Sequence, residues 1–347
     1  MMPFVHHPPL VYLDMNIWIA LARGLRAGTG PWFDLGHELR AASEARRVVV
    51  PLSSEHYREL WLRGSEESRV RVGRLMQEVS DFQSLSPIHV IRDAEIDAYI
   101  ARWFWGESRW VRAEEVLGRG VNHAFASPHG RLRFVESLAS HEAPEGPPSA
   151  PPEGLDTVVG TPGWEWFSLV GAQEFLNSDG VDRAPTHRHG DDRVRRESAL
   201  RQRLAADPAL RRRLADAIVV EEIQAITDEL NSACLSAGVD PRGLFFAAPD
   251  LDPPEAMRAL VAGLPTVDVL ATLRREKHRD LTHPWEQHDL SDLIMLSTTV
   301  PYCDAVVTER RWAHIVQTSG LASKYRTEMG AGLAGLRAAL DLVTEDS

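Results

Sequence analysis

Four carboxylates that are far apart in the sequence each lie at the end of a predicted strand or in the helix turn that follows one. They are Asp14, Glu59, Asp292 and Glu309. In a parallel sheet such positions share one edge, where open α/β sheets bind their ligands. Carboxylates that crowd together raise each other's pKa unless cations neutralise them. We therefore expect an acidic pocket that holds Mg²⁺ or Mn²⁺, which are hard ions that prefer oxygen ligands and support hydrolysis of phosphodiesters.

Further acids compete for places in this pocket. Glu55 lies four residues before Glu59 and therefore on the same helix face. Asp289 precedes Asp292 by three residues and is an alternative to it. Asp304 begins the last predicted strand and is a further candidate ligand.

Short strands and helices would position these acids. The β-branched and apolar runs predict strands at residues 10–13, 48–50 and 303–308, with an extended piece at 88–91. Apolar residues at helical spacing predict helices from Met15 to near Gly24 or Gly28, in the segment that carries Glu59, and at 32–45, 66–83, 93–105, 192–237, 254–264, 267–277, 291–300 and 330–343. Within 192–237 we expect a break at Asp207-Pro208, with Asp207 as an N-cap. The order of elements at the start of the chain is typical of a parallel α/β sheet.

Composition restricts the classes of function. The 347 residues include 38 basic and 50 acidic side chains, and the formal net charge of −12 argues against a high-affinity duplex binder with a long basic face. Two cysteines, Cys234 and Cys303, do not make a disulfide framework and suit a reducing compartment. The N-terminus lacks the features of a signal peptide, and no apolar run is long enough to span a membrane. We expect a cytoplasmic protein without membrane contact.

Two motifs near the N-terminus belong to a recognisable set. The segment LDMN places Asp14 at the end of a strand and Asn16 two residues later. The segment SSEHYREL places Ser53 six residues before Glu59 in a helix that follows the second strand.

Two further motifs lie near the C-terminus. Asp292 opens the apolar helix SDLIMLSTT, and the segment CDAVVTE contains Asp304, Thr308 and Glu309. In this order, the four motifs resemble those of PIN-domain nucleases, a family of metal-dependent ribonucleases that includes many bacterial toxins. Arg310 holds the place of the family's usual last acid, so the fourth ligand would be either Glu309 or Asp304.

The resemblance implies a fold, a reaction and partners. The fold would be a PIN-like parallel sheet flanked by helices, formed by residues 1–62 and 281–347, with a mostly helical insertion at 63–280 that contains a Pro/Gly-rich linker at 140–163. The protein would cut RNA with Mg²⁺ or Mn²⁺ and leave a 3′-hydroxyl and a 5′-phosphate. An antitoxin or other protein partner and a homodimer are compatible with the resemblance.

The resemblance also implies a role for each motif residue. Asp14, Glu59, Asp292 and Glu309 would be the metal ligands, with Asp304 as the alternative fourth acid. Asn16, Ser53 and Thr308 would support them.

Other functions remain open or are set aside. A PIN-like protein without catalytic activity, acting as a protein- or RNA-binding module, is the main alternative. A haloacid-dehalogenase-like phosphatase needs a second Asp two residues after Asp14, but Asn16 stands there. His278, His283, His288 and Asp289 have a spacing that could hold Zn²⁺, although no cysteine accompanies them.

Two segments could contact nucleic acid. Residues 102–112 alternate arginine with tryptophan, which is a pattern of stacking platforms for single strands. We favour the alternative that these tryptophans are buried, with the arginines at the rim. Residues 193–213 contain eight arginines and two acids, which is equally compatible with a phosphate-binding stripe and a solvated helix face.

Overall fold

A computed structural model describes residues 8–132, 154–177, 185–246, 251–280 and 282–345. The fold is mixed α/β and 69% helical, which confirms the predicted class. The PIN-like arrangement of the strands stays a prediction. Residues 140–153 of the predicted Pro/Gly-rich linker lie outside the described residues.

The described chain contains short strands and many helices. The strands are β1 (Val11–Leu13), β2 (Gln83–Leu85), β3 (Leu117–Arg119), β4 (Ala305–Thr308) and β5 (Glu328–Ala331). The helices of the first half are α1 (Met15–Ala27), α2 (Pro31–Glu44), α3 (Ser54–Leu62), α4 (Glu66–Ser80), α5 (Ile88–Trp105), α6 (Ala113–Val116), α7 (Gly120–Phe125), α8 (Pro162–Val170) and α9 (Gln173–Leu176). Those of the second half are α10 (Pro185–Ala206), α11 (Pro208–Arg212), α12 (Leu214–Ala225), α13 (Thr227–Ser236), α14 (Gly243–Phe246), α15 (Pro253–Ala262), α16 (Pro265–Arg279), α17 (Gln287–Thr299), α18 (Arg310–Thr318), α19 (Leu321–Tyr325) and α20 (Gly332–Glu345).

The chain divides into two compact units. The first unit contains Met1–Pro87, Leu117–Pro185 and Gly332–Ser347, and the second contains Ile88–Val116 and Thr186–Ala331. The boundaries of these units differ from those of the predicted PIN-like domain and its insertion. The division into that domain and insertion stays a prediction.

The first unit is built around β1, whose three residues are all buried. Leu10 makes a parallel bridge to Val49, and Val11 N–H donates to the Val49 carbonyl at 2.9 Å. β2 pairs with β3 in antiparallel orientation, and Leu52 makes a parallel bridge to Ser84. Helices α1, α2 and α4 pack against one another, and α3 packs against α8. The core of this unit therefore surrounds the strand that leads into Asp14.

The second unit pairs β4 with β5 in parallel register, from Ala305 opposite Glu328 to Thr308 opposite Ala331. Its helices enclose an apolar core to which α5, α10, α12, α13, α15 and α16 contribute. Parallel strands buried on both faces require continuous apolar sequence, and every residue of β4 is buried.

A buried ionic cluster joins helices of the second unit. The guanidinium of Arg274 contacts the carboxylates of Glu197, Glu221 and Glu222, and His278 Nε2 lies 2.8 Å from Glu197 Oε2. Arg274, Glu197 and Glu222 are at most 3% exposed. Because Glu197 accepts from His278 and lies beside Arg274, its pKa falls to about 2 in spite of burial, which opposes that shift. The cluster thus links α10, α12 and α16 by charge.

Two local expectations around residue 88 are wrong. Residues 88–91 are not an extended piece but the start of α5. The strand of this region is β2, which begins at Gln83, the last residue of the predicted helix 66–83. Asp81 and Phe82 both adopt positive φ, which ends α4 early. Leu85 N–H then donates to the Leu52 carbonyl at 2.8 Å, so pairing with a distant segment overrides the local helical pattern.

The C-terminal segment also differs from its prediction. The helix expected to begin at Ser291 begins at Gln287, because Glu286 and Asp289 form a capping box. Asp292 therefore lies beyond the first helical turn. The strand β5 was not predicted, and the last helix begins at Gly332, which has a φ of 58°.

Other expectations are confirmed. Helix α1 ends at Gly28, whose φ of 75° suits a residue without a Cβ, and the alternative end at Gly24 is wrong. Asp207 caps α11 through bonds to two backbone N–H groups, with Pro208 in the first helical position. Among the described residues, no single helix is long and apolar enough to cross a membrane, and one pair bent by 107°, α15 with α16, qualifies by length and composition alone.

Candidate functional site

The site in the first unit is held by His56, which joins the end of β1 to the start of α3. Its Nε2 donates to the Leu13 carbonyl at 2.8 Å, and its Nδ1 accepts from the Ser53 N–H at 3.0 Å. These two bonds require one neutral tautomer. Burial lowers the pKa of His56 to about 4, although the bond to Leu13 opposes that shift. At neutral pH the clamp therefore carries no charge.

Tyr12 lies against this clamp and bonds to Ser53. Its ring stacks on His56 with 4.9 Å between centroids, and its hydroxyl lies 2.8 Å from Ser53 Oγ. Burial raises the pKa of Tyr12 well above its usual value, and the negative charges of Asp14, Glu59 and Glu55 raise it further, while the Ser53 bond lowers it. The bond from His56 to the Leu13 carbonyl thus joins α3, which carries Glu59, to the strand end that leads into Asp14.

Asp14 lies where the buried strand becomes a helix. It is the N-cap of α1, and its Oδ1 accepts from the Met15 N–H at 2.6 Å. A carboxylate at this end of a helix is stabilised by the helix dipole. Asp14 is half-buried, and Asn16 in the first turn of α1 is exposed. The strand thus delivers the carboxylate to a partly open position.

The two competing acids of α3 have different surroundings. Glu55 is 6% exposed and forms an ion pair with Arg58, whose guanidinium also lies over the ring of Phe125. Glu59, one turn further along α3, is half-buried. Glu59 is therefore the more accessible of the two carboxylates.

The predicted acids of α17 lie in the second unit. Asp292 Oδ2 accepts from Trp312 Nε1 at 2.6 Å, and Asp292 is half-buried. Asp289 is 2% exposed, and its Oδ1 lies 2.6 Å from the Nζ of the buried Lys277. Its Oδ2 accepts from the Glu286 N–H at 2.7 Å. Asp289 is thus engaged in holding its own helix, which makes Asp292 the better candidate ligand.

The last predicted motif surrounds β4. Thr308 ends this strand and is buried, whereas Glu309 is the exposed N-cap of α18. Asp304 is exposed just before the strand, and its carbonyl accepts from the Glu328 N–H at 2.8 Å. Burial, followed by the charge of Asp304, raises the pKa of the Cys303 thiol. Both candidates for the fourth acid therefore remain open to solvent.

The described residues contain no group of three or more His, Cys, Asp or Glu side chains placed to hold a metal ion. The residues of the proposed zinc set instead form separate contacts. His283 Nδ1 lies 2.5 Å from Asp280, and His288 lies 3.3 Å from Glu286, while His278 belongs to the buried ionic cluster. The zinc hypothesis therefore finds no support in this part of the chain.

The two candidate nucleic-acid segments have different outcomes. Trp105 and Trp110 are each 54% exposed, so the interpretation that residues 102–112 bury their tryptophans is wrong for both. Trp103 is partly buried and packs against the core of the second unit. In the stretch 193–213, Arg211 donates to the Leu204 carbonyl at 2.8 Å and so caps α10 instead of pointing freely to solvent.

Sequence reasoning missed the residues that hold the acids in place. The Ser53 and His56 pair has the spacing of a capping box, with histidine in the position that Glu or Gln usually takes, and that spacing was the available signal. Lys277 had no comparable local signal, because its partner Asp289 lies in the next helix.

The structure shows how Asp14 and Glu59 are held in the first unit and how Asp292 is held in the second. Comparison of the chain with protein-family models, with curated proteins and with solved structures returned no match.

Proposed function

We propose that this protein is a Mg²⁺- or Mn²⁺-dependent endoribonuclease and that Asp14 and Glu59 form the core of its metal site. The observation that carries the proposal is the bond from His56 on α3 to the carbonyl of Leu13, which ties the helix that carries Glu59 to the strand end that leads into Asp14. Asp14 comes from the end of β1 and Glu59 from α3. Asp14 belongs to the first and Glu59 to the second of the motifs that resemble those of PIN-domain nucleases.

The donor set suits a small hard cation. Mg²⁺ is usually bound by one or two carboxylates, keeps several waters and contacts substrate phosphates. Asp14 and Glu59 supply such oxygens from half-buried positions. His56 supports them as a neutral group, so the clamp adds no positive charge that would compete with a cation. When bound, the metal would activate water and stabilise the charge that develops on the phosphodiester.

The remaining motif residues take secondary roles in the proposal. The resemblance also implies ligand roles for Asp292, whose carboxylate accepts from Trp312, and for Glu309 or Asp304. It implies supporting roles for Asn16, Ser53 and Thr308. The substrate would be RNA, cut to leave a 3′-hydroxyl and a 5′-phosphate.

The proposed setting is that of a toxin or defence effector in the cytoplasm. A protein antitoxin is the kind of partner that this setting implies. The net charge of −12 means that RNA must be attracted by local cations or by the bound metal.

One observation favours a second candidate. Because the described residues contain no group of three acids or histidines that could hold a metal ion, a PIN-like module that binds protein or RNA without cutting it is the alternative. Such a protein would keep the fold of the first unit and lack metal-dependent activity.

Metal binding and RNA cleavage should be measured together on four proteins. The wild type, Asp14→Asn, Glu59→Gln and the control Asp34→Asn would be titrated with Mn²⁺ by calorimetry and incubated with labelled RNA, with and without EDTA. Asp34 is an exposed acid in the first turn of α2, so it matches Asp14 in chemistry but not in position. Asparagine caps helices about as well as aspartate, so Asp14→Asn should stay folded.

We expect the wild type and the control to bind Mn²⁺ and to cut RNA only with metal. Asp14→Asn and Glu59→Gln should each lose cleavage, because each removes a negative oxygen donor. Undiminished cleavage by Asp14→Asn would refute the assignment. A wild type that binds no Mn²⁺ would favour the non-catalytic module.

A further inference from the structure

Two exposed tryptophans lie at the C-terminal end of α5. Trp105 is the last residue of this helix, and Trp110 belongs to the segment that follows it. Each is 54% exposed, although tryptophan is highly buried on average in folded proteins. Proteins that bind single-stranded nucleic acid present aromatic side chains beside cations, and successive bases stack on these rings.

Arg102 fixes the position of Trp110. Its Cζ lies 3.6 Å from the centre of the Trp110 ring, in a cation–π contact. The same guanidinium donates to the Arg109 carbonyl at 2.6 Å and to the Gly263 carbonyl at 2.9 Å. The segment after α5 is therefore held back against the helix end, and Trp110 is presented by a preorganised backbone.

Cations accompany the exposed rings. Residues 102–112 contain three arginines and one acid, Glu107. Arg109 and Arg112 are 51% and 74% exposed, and they share Glu115 at 3.9 and 3.4 Å. Exposed ion pairs of this kind contribute little free energy, so a phosphate can take the place of Glu115 beside either arginine.

We propose that Trp105 and Trp110 form a stacking platform for the bases of single-stranded RNA, with Arg109 and Arg112 contacting its phosphates. Bases of any type present a flat π-face to an indole, and the adjacent cations complement the backbone charge. A duplex would bind poorly, because its bases are already stacked on one another. The proposal rests on the proposed function for its substrate, RNA, and adds a binding surface outside the four motifs.

Binding should be measured without metal, so that cleavage cannot occur. Fluorescence anisotropy of labelled oligoadenylate, oligouridylate and a short RNA duplex would be followed in EDTA with the full chain. Oligoadenylate should bind more tightly than oligouridylate, because adenine offers the larger stacking face, and the duplex should bind most weakly. Removal of Arg112 as Arg112→Gln should lower the slope of log Kd against log salt by about 0.7, the value for one phosphate of a single strand.

Substitution of the tryptophans separates stacking from general attraction. Trp105→Ala and Trp110→Ala should each raise the Kd for oligoadenylate about tenfold or more, whereas Trp110→Phe should restore most of the affinity. Leu235→Ala is the control, because Leu235 is 73% exposed on α13 of the same unit. All these side chains are exposed, so the variants should keep the circular dichroism of the wild type.

The outcomes distinguish this proposal from the nuclease assignment. Tryptophan-dependent binding by a protein that never cuts RNA would support the platform and refute the nuclease. Metal-dependent cutting combined with unchanged affinity in Trp105→Ala and Trp110→Ala would refute the platform alone. No binding of oligoadenylate at about 100 μM protein, the weak end of non-specific affinities, would also overturn the platform and point to a protein partner for these tryptophans.

Discussion

Each compact unit contains a helix whose N-terminus is held by a buried titratable side chain, and the two side chains respond to pH in opposite directions. In the first unit, His56 accepts the Ser53 N–H at the start of α3. In the second unit, Glu95 of α5 accepts the N–H of Thr266 at 2.9 Å at the start of α16. A tyrosine hydroxyl accompanies each arrangement, from Tyr12 in one and Tyr302 in the other.

Burial disfavours the charged form of both groups. The pKa of His56 falls to about 4, because its ring is enclosed. The pKa of Glu95 rises to about 7, first because of burial and in spite of bonds from Thr266 and Tyr302 that stabilise the charged form. A histidine and a glutamate in equivalent roles are thus both driven towards neutrality. The stability of the first unit is therefore sensitive to acid and that of the second to base.

The largest effect should follow from loss of the histidine clamp. His56→Phe keeps a ring against Tyr12 but leaves the Ser53 N–H and the Leu13 carbonyl without their partner. Each buried group that loses its bond costs about 1–3 kcal/mol, so the free energy of unfolding at pH 7 should fall by about 3 kcal/mol. Urea unfolding followed by circular dichroism measures this quantity.

The same variant should change the response to acid. Because the folded pKa of about 4 lies below the usual 6.5, the contribution of His56 is complete above pH 6.5 and is lost as the pH falls towards 4. The wild type should lose on the order of 2 kcal/mol between pH 7 and pH 5 from this group, and His56→Phe should not. The control His314→Phe changes an exposed histidine on α18. An acid response that His56→Phe leaves intact would contradict the clamp.

A smaller effect of opposite sign is expected at Glu95. Its folded pKa of about 7 lies above the usual 4.5, so its contribution is complete below pH 4.5 and is lost as the pH rises through 7. The free energy of unfolding of the wild type should fall by on the order of 2 kcal/mol between pH 5 and pH 8 because of this group. Glu95→Gln should not show this fall. Urea unfolding at these two pH values tests this, with Glu255→Gln, an exposed acid of α15, as the control.

In both units, local sequence signals predict those helix starts that depend on adjacent residues. Asp207-Pro208 before α11 is predicted because the cap and its helix are neighbours in the chain, and the start of α1 at Met15 is predicted in the same way, although the capping role of Asp14 is not. The carboxylates of the candidate site are predicted in the same way, from their places at a strand end or in the helix turn that follows one. Caps and strand ends are local features, and one sequence is enough to recognise them.

Long-range partners were not predictable. Glu95 reaches Thr266 across 171 residues and Tyr302 across 207, so nothing near residue 95 indicates its role. The strands β2 and β5 were missed for the same reason, since their pairing partners lie elsewhere in the chain. The exposure of Trp105 also depends on packing that periodicity does not contain.

The smallest effect should come from the two tyrosines, which provide a matched pair of substitutions. Tyr12→Phe and Tyr302→Phe should each lower the free energy of unfolding by about 1 kcal/mol, the net value of one buried hydrogen bond. Only Tyr302→Phe should move a titration, because its hydroxyl donates directly to Glu95 and lowers the pKa of that carboxyl. Tyr12 donates to or accepts from Ser53, not His56, so Tyr12→Phe should leave the imidazole midpoint unchanged.

NMR titration of the Glu95 carboxyl and the His56 ring reads both midpoints, and an upward shift for Glu95 alone is expected. Equal shifts at both sites would mean that the hydroxyls act through the fold of each unit instead of through the bond that Glu95 receives.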